Sequence, residues 1–219
     1  TEWDEAGYLK VQGYYKNHER DSSWKYFYPN TNIMQYEYMY KTKDTVLLWN
    51  YCYRRGTCTV RNGNGTYEEY WNESSTLKEK GSYKDGFKEG YWEMYFQDGK
   101  LKGKGNYIHG EKVGNWIEYY ANGSLKERID HTKGTYESWH TNGKKHVNGY
   151  LNNEQKDSVW SYWNTDGVLI TRTQYIEGSL EGLQENWFAT GKPSSTFIYK
   201  NNKKNGKALW WHETGEKDM

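Results

Sequence analysis

The sequence predicts an all-β fold: an elongated, single-layer antiparallel sheet of tandem β-hairpins with a period of about 24 residues. Three observations predict it. First, ten aromatic residues recur at one place in a repeating unit: Trp3, Phe27, Tyr51, Tyr70, Tyr95, Tyr119, Trp139, Trp163, Trp187 and Trp211. The steps between them are 24, 24, 19, 25, 24, 20, 24, 24 and 24, and a fixed period in this range marks a solenoid, propeller or array. Second, a glycine follows four residues after the aromatic in most copies. Third, Leu, Ile, Val and Phe together number only 30 of 219, while Tyr and Trp number 23 and 12.

The elements follow in order along one unit, best seen from Gly90 to Tyr107 and again from Gly114 to Arg128. With the leading glycine as position zero, the first strand carries an aromatic at +2 (Trp92, Trp116) and the recurring aromatic at +5. A turn comes next, with glycine at +9 in Gly7, Gly99, Gly123, Gly143, Gly167, Gly191 and Gly215. Pairs such as Asp98-Gly99 and Asn122-Gly123 are strong hairpin signals, because a tight turn needs positive φ. A second strand runs through a leucine at +11 (Leu9, Leu101, Leu125, Leu169) to a tyrosine near +17 (Tyr15, Tyr107, Tyr175, Tyr199). A polar Gly/Asn/Lys turn then enters the next copy. Helix competes poorly, since no stretch holds apolar residues at helical spacing over three turns without an intervening glycine, and Tyr and Trp favour strands.

Composition accounts for the thin sheet. A chain with so few aliphatic residues suggests disorder when its net charge is high, but here the formal charge is only +1. Tyrosine and tryptophan replace the aliphatics, offering apolar area with a polar tip that tolerates water. Stability then comes from stacking each repeat on its neighbours. The expectation is one array over residues 1–219, degenerate over 1–64 and well formed over 65–219. No apolar run approaches membrane-spanning length.

The run G-x-W-x-x-Y-Y-x-N-G-x-L-K, at Gly114 to Lys126 and in variant form at Gly90 to Lys102, resembles the MORN-type repeat. The period of 24 and the N-G-x-L-K ending resemble its bacterial variant, the YwqK-type antitoxin repeat family. The likeness extends over Gly65 to Gly215, is recognisable from Trp3, and fades between Thr31 and Asn64. It implies hairpins laid side by side and a non-catalytic, interaction-type role.

No catalytic, metal or cofactor site is expected. The six histidines are scattered and lack metal-ligand spacing; His140 and His212 share position +6 with Trp71, Phe96, Tyr120 and Phe188, and read as substitutes in an aromatic column. Carboxylates such as Glu68, Glu69, Glu93 and Glu118 read as a solvated strand face. No nucleophile elbow, P-loop or dinucleotide fingerprint is present. Nucleic acid is not an expected partner, because 30 basic and 29 acidic residues are interspersed and phosphate binding needs a basic field.

Cys52 and Cys58 leave two readings open. If Arg54-Arg55-Gly56 forms a three-residue turn, Cys52 faces Cys58 within disulfide range; otherwise they are unrelated buried thiols. A bridge points to an oxidising compartment, hence to an extracytoplasmic location (periplasm or cell surface) in a bacterium and a mature chain without its signal peptide. Cytoplasmic location is the alternative.

Side chains alternate faces along a strand, so +2, +4 and +6 share one face while +3 and +5 share the other. Because +5 is always aromatic, it is expected to be the structural column that holds the repeats together. Position +6 is aromatic but interrupted, and +4 varies. The expected docking surface for another protein is therefore the +4/+6 stripe, centred on Trp71, Met94, Phe96 and Tyr120, against the alternative that +6 is a second structural ladder. The expected role is a protein-binding scaffold or accessory subunit in the cell envelope. An antitoxin or immunity protein, and a glycan or cell-wall binder using the aromatics as a platform, are the alternatives.

Overall fold

The computed structural model describes residues 1–71 and 75–218. Among them are twenty strands and no helix. Every strand pair is antiparallel, neighbours in sequence pair in hairpin order, and all twenty strands belong to one open sheet. Contacts divide the chain into two compact units. The first comprises Thr1–Gly99 with Asn106–Lys112, and the second Lys100–Gly105 with the chain from Val113 onward.

In the first unit lie β1 (Glu2–Trp3), β2 (Leu9–Lys16), β3 (Glu19–Phe27), β4 (Met34–Tyr40), β5 (Val46–Cys52), β6 (Cys58–Arg61), β7 (Asn64–Tyr70), β8 (Leu77–Lys84) and β9 (Phe87–Tyr95). Strands β10 (Leu101–Ile108) and β11 (Glu111–Tyr119) have residues in both units. The second unit continues with β12 (Leu125–Asp130), β13 (Thr135–Trp139), β14 (Lys145–Asn152), β15 (Gln155–Trp163), β16 (Leu169–Ile176), β17 (Ser179–Trp187) and β18 (Pro193–Lys200). Two short strands, β19 (Lys203–Lys204) and β20 (Leu209–Trp210), both pair with β18.

The two ends of each hairpin use different turn chemistry. At the +9 glycine only the glycine takes positive φ, as in Gly99 and Gly123 at 83° and 86°. The glycine N–H donates to the carbonyl of +6, and the register shifts where the first strand meets the turn, as between Glu118 and Tyr119. This is a type I turn with a glycine bulge, not a two-residue turn. The tight two-residue turns sit at the opposite end, where both residues have positive φ: Asp85-Gly86, His109-Gly110 and Asn153-Glu154 among them. Asn-Gly and Asp-Gly pairs occur at both ends of the hairpins, so the pair at +8/+9 does not by itself mark the tight turn.

The buried column is at +2. Trp92 is fully buried, and Trp24, Trp116 and Trp160 are each 3% exposed. Under each indole lies a glycine eleven residues earlier: Gly13, Gly81, Gly105 and Gly149. A Cβ there would fall 2.2 to 2.4 Å from the ring, so only glycine lets the indole lie flat on the neighbouring strand. The indole Nε1 of Trp24, Trp92 and Trp160 donates to the carbonyl of the residue after that glycine, at 3.0 to 3.2 Å. A cation four residues before the tryptophan lies by the ring: Arg20 at 4.4 Å from the Trp24 centroid, Lys88 at 4.0 Å from Trp92 and Lys156 at 4.7 Å from Trp160.

This corrects the structural role expected of Trp3, Phe27, Tyr51, Tyr70, Tyr95, Tyr119, Trp139, Trp163, Trp187 and Trp211. Of these only Tyr51 is buried, at 2% exposure; Trp3 is 61% exposed, Tyr70 is 39% exposed, and the other seven are half-buried. The physical reason is position. The +5 residue closes its strand beside the turn, as Phe27, Tyr70, Tyr95, Tyr119, Trp139, Trp163 and Trp187 do, so one side of the ring faces the margin of the sheet.

Candidate binding sites

The face assignment follows from side-chain partners. On one face Glu93 (+3) accepts from the Tyr95 (+5) hydroxyl at 2.7 Å and pairs with Lys80 at 2.8 Å. On the other, Lys88 lies by Trp92 (+2) and pairs at 2.8 Å with Glu79, which stands across from Met94 (+4). In the second unit Lys156 contacts both Trp160 (+2) and Tyr162 (+4).

The four residues expected to form a docking stripe are half-buried. Trp71, Met94 and Phe96 belong to the first unit and Tyr120 to the second. Two of them have their polar tips engaged by the next repeat. Trp71 Nε1 donates to the Tyr95 carbonyl at 3.3 Å, and the Tyr120 hydroxyl donates to the Trp139 carbonyl at 2.8 Å. His140 Nε2 meets the Trp163 carbonyl at 2.8 Å, and the Tyr28 hydroxyl donates to the Cys52 carbonyl at 2.9 Å. At these four positions the +6 side chain thus braces one hairpin to the next. Phe96 supplies the carbonyl that closes its turn onto Gly99.

The +5 face has another character. Arg128 lies 5.5 Å from the Trp139 ring and 3.6 Å from Glu137; Arg172 lies 5.8 Å from Trp187 and 2.6 Å from Glu185. Lys145 lies 5.8 Å from Trp163 and 2.8 Å from Glu137. Half-open rings therefore alternate with exposed ion pairs down the second unit.

In the first unit the repeat pattern lapses and a cleft opens. Cys52 and Cys58 face each other in β5 and β6 and are joined as a disulfide, across a turn closed by Gly56 N–H to the Tyr53 carbonyl at 2.7 Å. Beside this turn lies a cavity of 640 Å³ whose walls include Tyr28, Tyr53, Tyr70 and Trp71. Arg54 and Lys78 contribute cations, and Glu69 contributes a carboxylate that Lys78 meets at 3.0 Å. The volume suits a ligand pocket.

The phenols of this cleft are donors already committed. Tyr53 and Tyr70 donate to Glu68 Oε2 at 3.3 and 2.9 Å, and Tyr51 donates to the Glu68 carbonyl at 2.7 Å. Burial raises the pKa of Tyr28, Tyr51 and Tyr53, while for Tyr70 the hydrogen bond to the Glu68 carboxylate is the main cause. All four remain neutral at physiological pH. With their tips pinned, the tyrosines offer the cleft ring surface more than hydrogen bonds.

Among the described residues no three His, Cys, Asp or Glu side chains are grouped to hold a metal ion. His140 and His146 do meet, with ring centroids 4.3 Å apart, and burial followed by the His140 charge lowers the His146 pKa. Two tilted rings do not converge as ligands. No described helix is long and apolar enough to cross a membrane.

No curated protein matches the chain. Residues 88–109 and 112–133 match the family described as MORN repeat variant. Each match begins on the lysine four residues before a core tryptophan, Lys88 or Lys112, and runs through one hairpin repeat. The two adjacent matches support a MORN-variant repeat protein.

Proposed function

We propose that this chain is a non-catalytic MORN-like scaffold or accessory subunit that docks another protein, in the envelope of a bacterial cell. The supporting observation is the +5 face of the second unit, where half-open Trp139, Trp163 and Trp187 alternate with Arg128, Lys145 and Arg172. Aromatic residues and arginine are the side chains most enriched at interface centres. The core tryptophans at +2 are unavailable to a partner, and the +6 tips are spent on the neighbouring repeat. The Cys52–Cys58 bridge favours an oxidising compartment.

The test is purification of the tagged chain from its native envelope, as wild type and as Trp139→Ala with Trp187→Ala. A single protein recovered in stoichiometric amount with the wild type, and lost with a variant of unchanged melting temperature, supports the reading. Recovery unaffected by the variant counts against this face, and turnover of a substrate by the pure chain counts against a non-catalytic role. A toxin as the recovered partner would make the chain an antitoxin, and cell-wall polysaccharide in its place would make it a glycan binder.

A further inference from the structure

The cleft beside the disulfide does not end at its own walls. A second hollow, of 570 Å³, shares Pro29 and Gln35 with it and carries Trp3 and Phe27 on its lining. Both belong to the first unit. Together they make a groove along the turn ends of the odd-numbered strands, because Trp3, Phe27 and Tyr70 are the last residues of β1, β3 and β7. A compact small molecule would leave most of such a groove empty, whereas an extended chain fills it.

We propose that this groove binds a proline-rich protein segment in the polyproline II conformation, with a basic residue of the segment at the Trp3 end. The inference goes beyond the docking face of the second unit and rests on the reading of the chain as a protein-docking scaffold. Its first support is spacing. Rings at the ends of alternate strands are two strand widths apart, about 10 Å. A polyproline II helix repeats every three residues and about 9 Å, so prolines three residues apart meet Trp3 and Phe27, and a third, about six residues further on, meets Tyr70 beyond the buried Tyr51. From β1 to β7 is six strand widths, about 29 Å, which about nine polyproline II residues span.

The second support is what the walls can offer. The phenol tips of Tyr28, Tyr51, Tyr53 and Tyr70 and the Trp71 indole N–H are pinned to protein acceptors. A sugar needs many directional hydrogen bonds at its edges. A polyproline II segment needs ring faces and few donors, and its preformed backbone loses little entropy on docking. The third support is charge. At the Trp3 end the lining carries Asp4 and Glu5 against the single Lys10, beside a ring that is 61% exposed. At the other end Arg54 and Lys78 stand against Glu69. The groove is polarised, and an arginine or lysine of the ligand is accepted only at the Trp3 end, by carboxylates and by the indole face.

The test is fluorescence anisotropy of labelled, end-blocked peptides against the full chain: nonaproline, nonaproline bearing one terminal arginine at either end, and a glycine-serine peptide of equal length with arginine. Neutral oligosaccharides are tested as competitors of the labelled proline peptide and, by calorimetry, directly. The expected result is saturable binding of the proline peptides alone, about threefold tighter with arginine at one end. Tyr70→Ala weakens binding about tenfold without moving the melting temperature. Glu5→Lys keeps the binding but abolishes the advantage of arginine. The proposal is overturned if the proline peptides do not saturate, if the glycine-serine peptide binds equally well, or if an oligosaccharide binds where the proline peptides do not. It is overturned too if Glu5→Lys leaves the arginine preference intact. If these peptides fail while a partner still co-purifies through Trp139 and Trp187, only this inference falls and the scaffold reading stands.

Discussion

The stretch from β4 to β7 and the stretch from β14 to β16 bury their aromatic residues by different means. In the second, the Trp160 indole lies flat on Gly149, hydrogen-bonds to the Tyr150 carbonyl and is flanked by Lys156. The shelf itself is closed within one pair of neighbouring strands, and among the described residues the ring contacts beyond it reach no further than Tyr136 on β13 and Tyr175 on β16, at 5.2 and 6.4 Å between centroids. In the first there is no glycine shelf. Tyr36, Tyr51, Tyr67 and Trp92 touch ring to ring, with centroids 5.4, 4.5 and 5.7 Å apart, and so link β4, β5, β7 and β9. A shelf makes the tight-turn hairpin modular, since its two strands supply both halves of the contact. A ring-on-ring ladder makes hairpins interdependent, and the turns above it are free to depart from the repeat. There the disulfide and the cleft occur.

The largest effect that would break this comparison is expected at Tyr67, which is 4% exposed and sits mid-ladder. Tyr67→Ala should cost about 3–5 kcal/mol, and hydrogen exchange should show protection lost together across β4, β5, β7 and β9. Loss confined to β7 would show that the ladder does not couple the hairpins. Gly149→Ala tests the shelf: a Cβ there meets the Trp160 ring at 2.2 Å, and overpacking of this kind costs about 1–3 kcal/mol. The loss should stay local to β13, β14, β15 and β16, the strands that carry the rings around Trp160. Replacing Cys52 and Cys58 together by serine removes a cross-link over a short loop, worth about 2 kcal/mol in the chain-entropy account. Denaturation followed by hydrogen exchange should place that loss in the first unit.

A smaller effect distinguishes the stretches by pH. Burial pushes the pKa of Tyr38 and Tyr136 up to about 12, and it raises Tyr36, Tyr51, Tyr67 and Tyr83 as well. The folded state therefore favours the neutral phenol, and unfolding releases protons above the ordinary tyrosine pKa near 10. This stability is complete below about pH 10 and is lost as pH rises towards 12. Because five of these six tyrosines lie in the first unit, that unit should lose protection first in an alkaline titration read by phenolate absorbance and hydrogen exchange.

The period, the hairpins and the alternation of faces were legible in the sequence because each depends on local spacing and strand periodicity. The identity of the buried column was not. Counting aromatic residues favours +5, which never lapses, over +2, which becomes Leu48, Gln184 and Ala208. Yet +5 is aromatic at the margin of the sheet, whereas +2 is aromatic where a glycine shelf exists to receive it. A longer motif carried the signal: glycine, a cation seven residues on, and tryptophan four beyond, in Gly13/Arg20/Trp24, Gly81/Lys88/Trp92, Gly105/Lys112/Trp116 and Gly149/Lys156/Trp160. The cleft left almost no trace, since it forms where the repeat fails and the step from Tyr51 to Tyr70 shortens to 19. The +6 braces were hidden for another reason: their acceptors are backbone carbonyls of the next repeat, which no sequence pattern marks.

The +2 and +5 columns can be compared within β15, where two tryptophans three residues apart occupy opposite faces. Trp160 is 3% exposed on its glycine shelf, and Trp163 is half-buried at the strand end. Thermal melting of Trp160→Ala and Trp163→Ala compares identical truncations in one strand. The expected loss is about 3–5 kcal/mol for Trp160→Ala and less than half of that for Trp163→Ala. Equal losses, or a larger one at Trp163, would return the structural role to the +5 column.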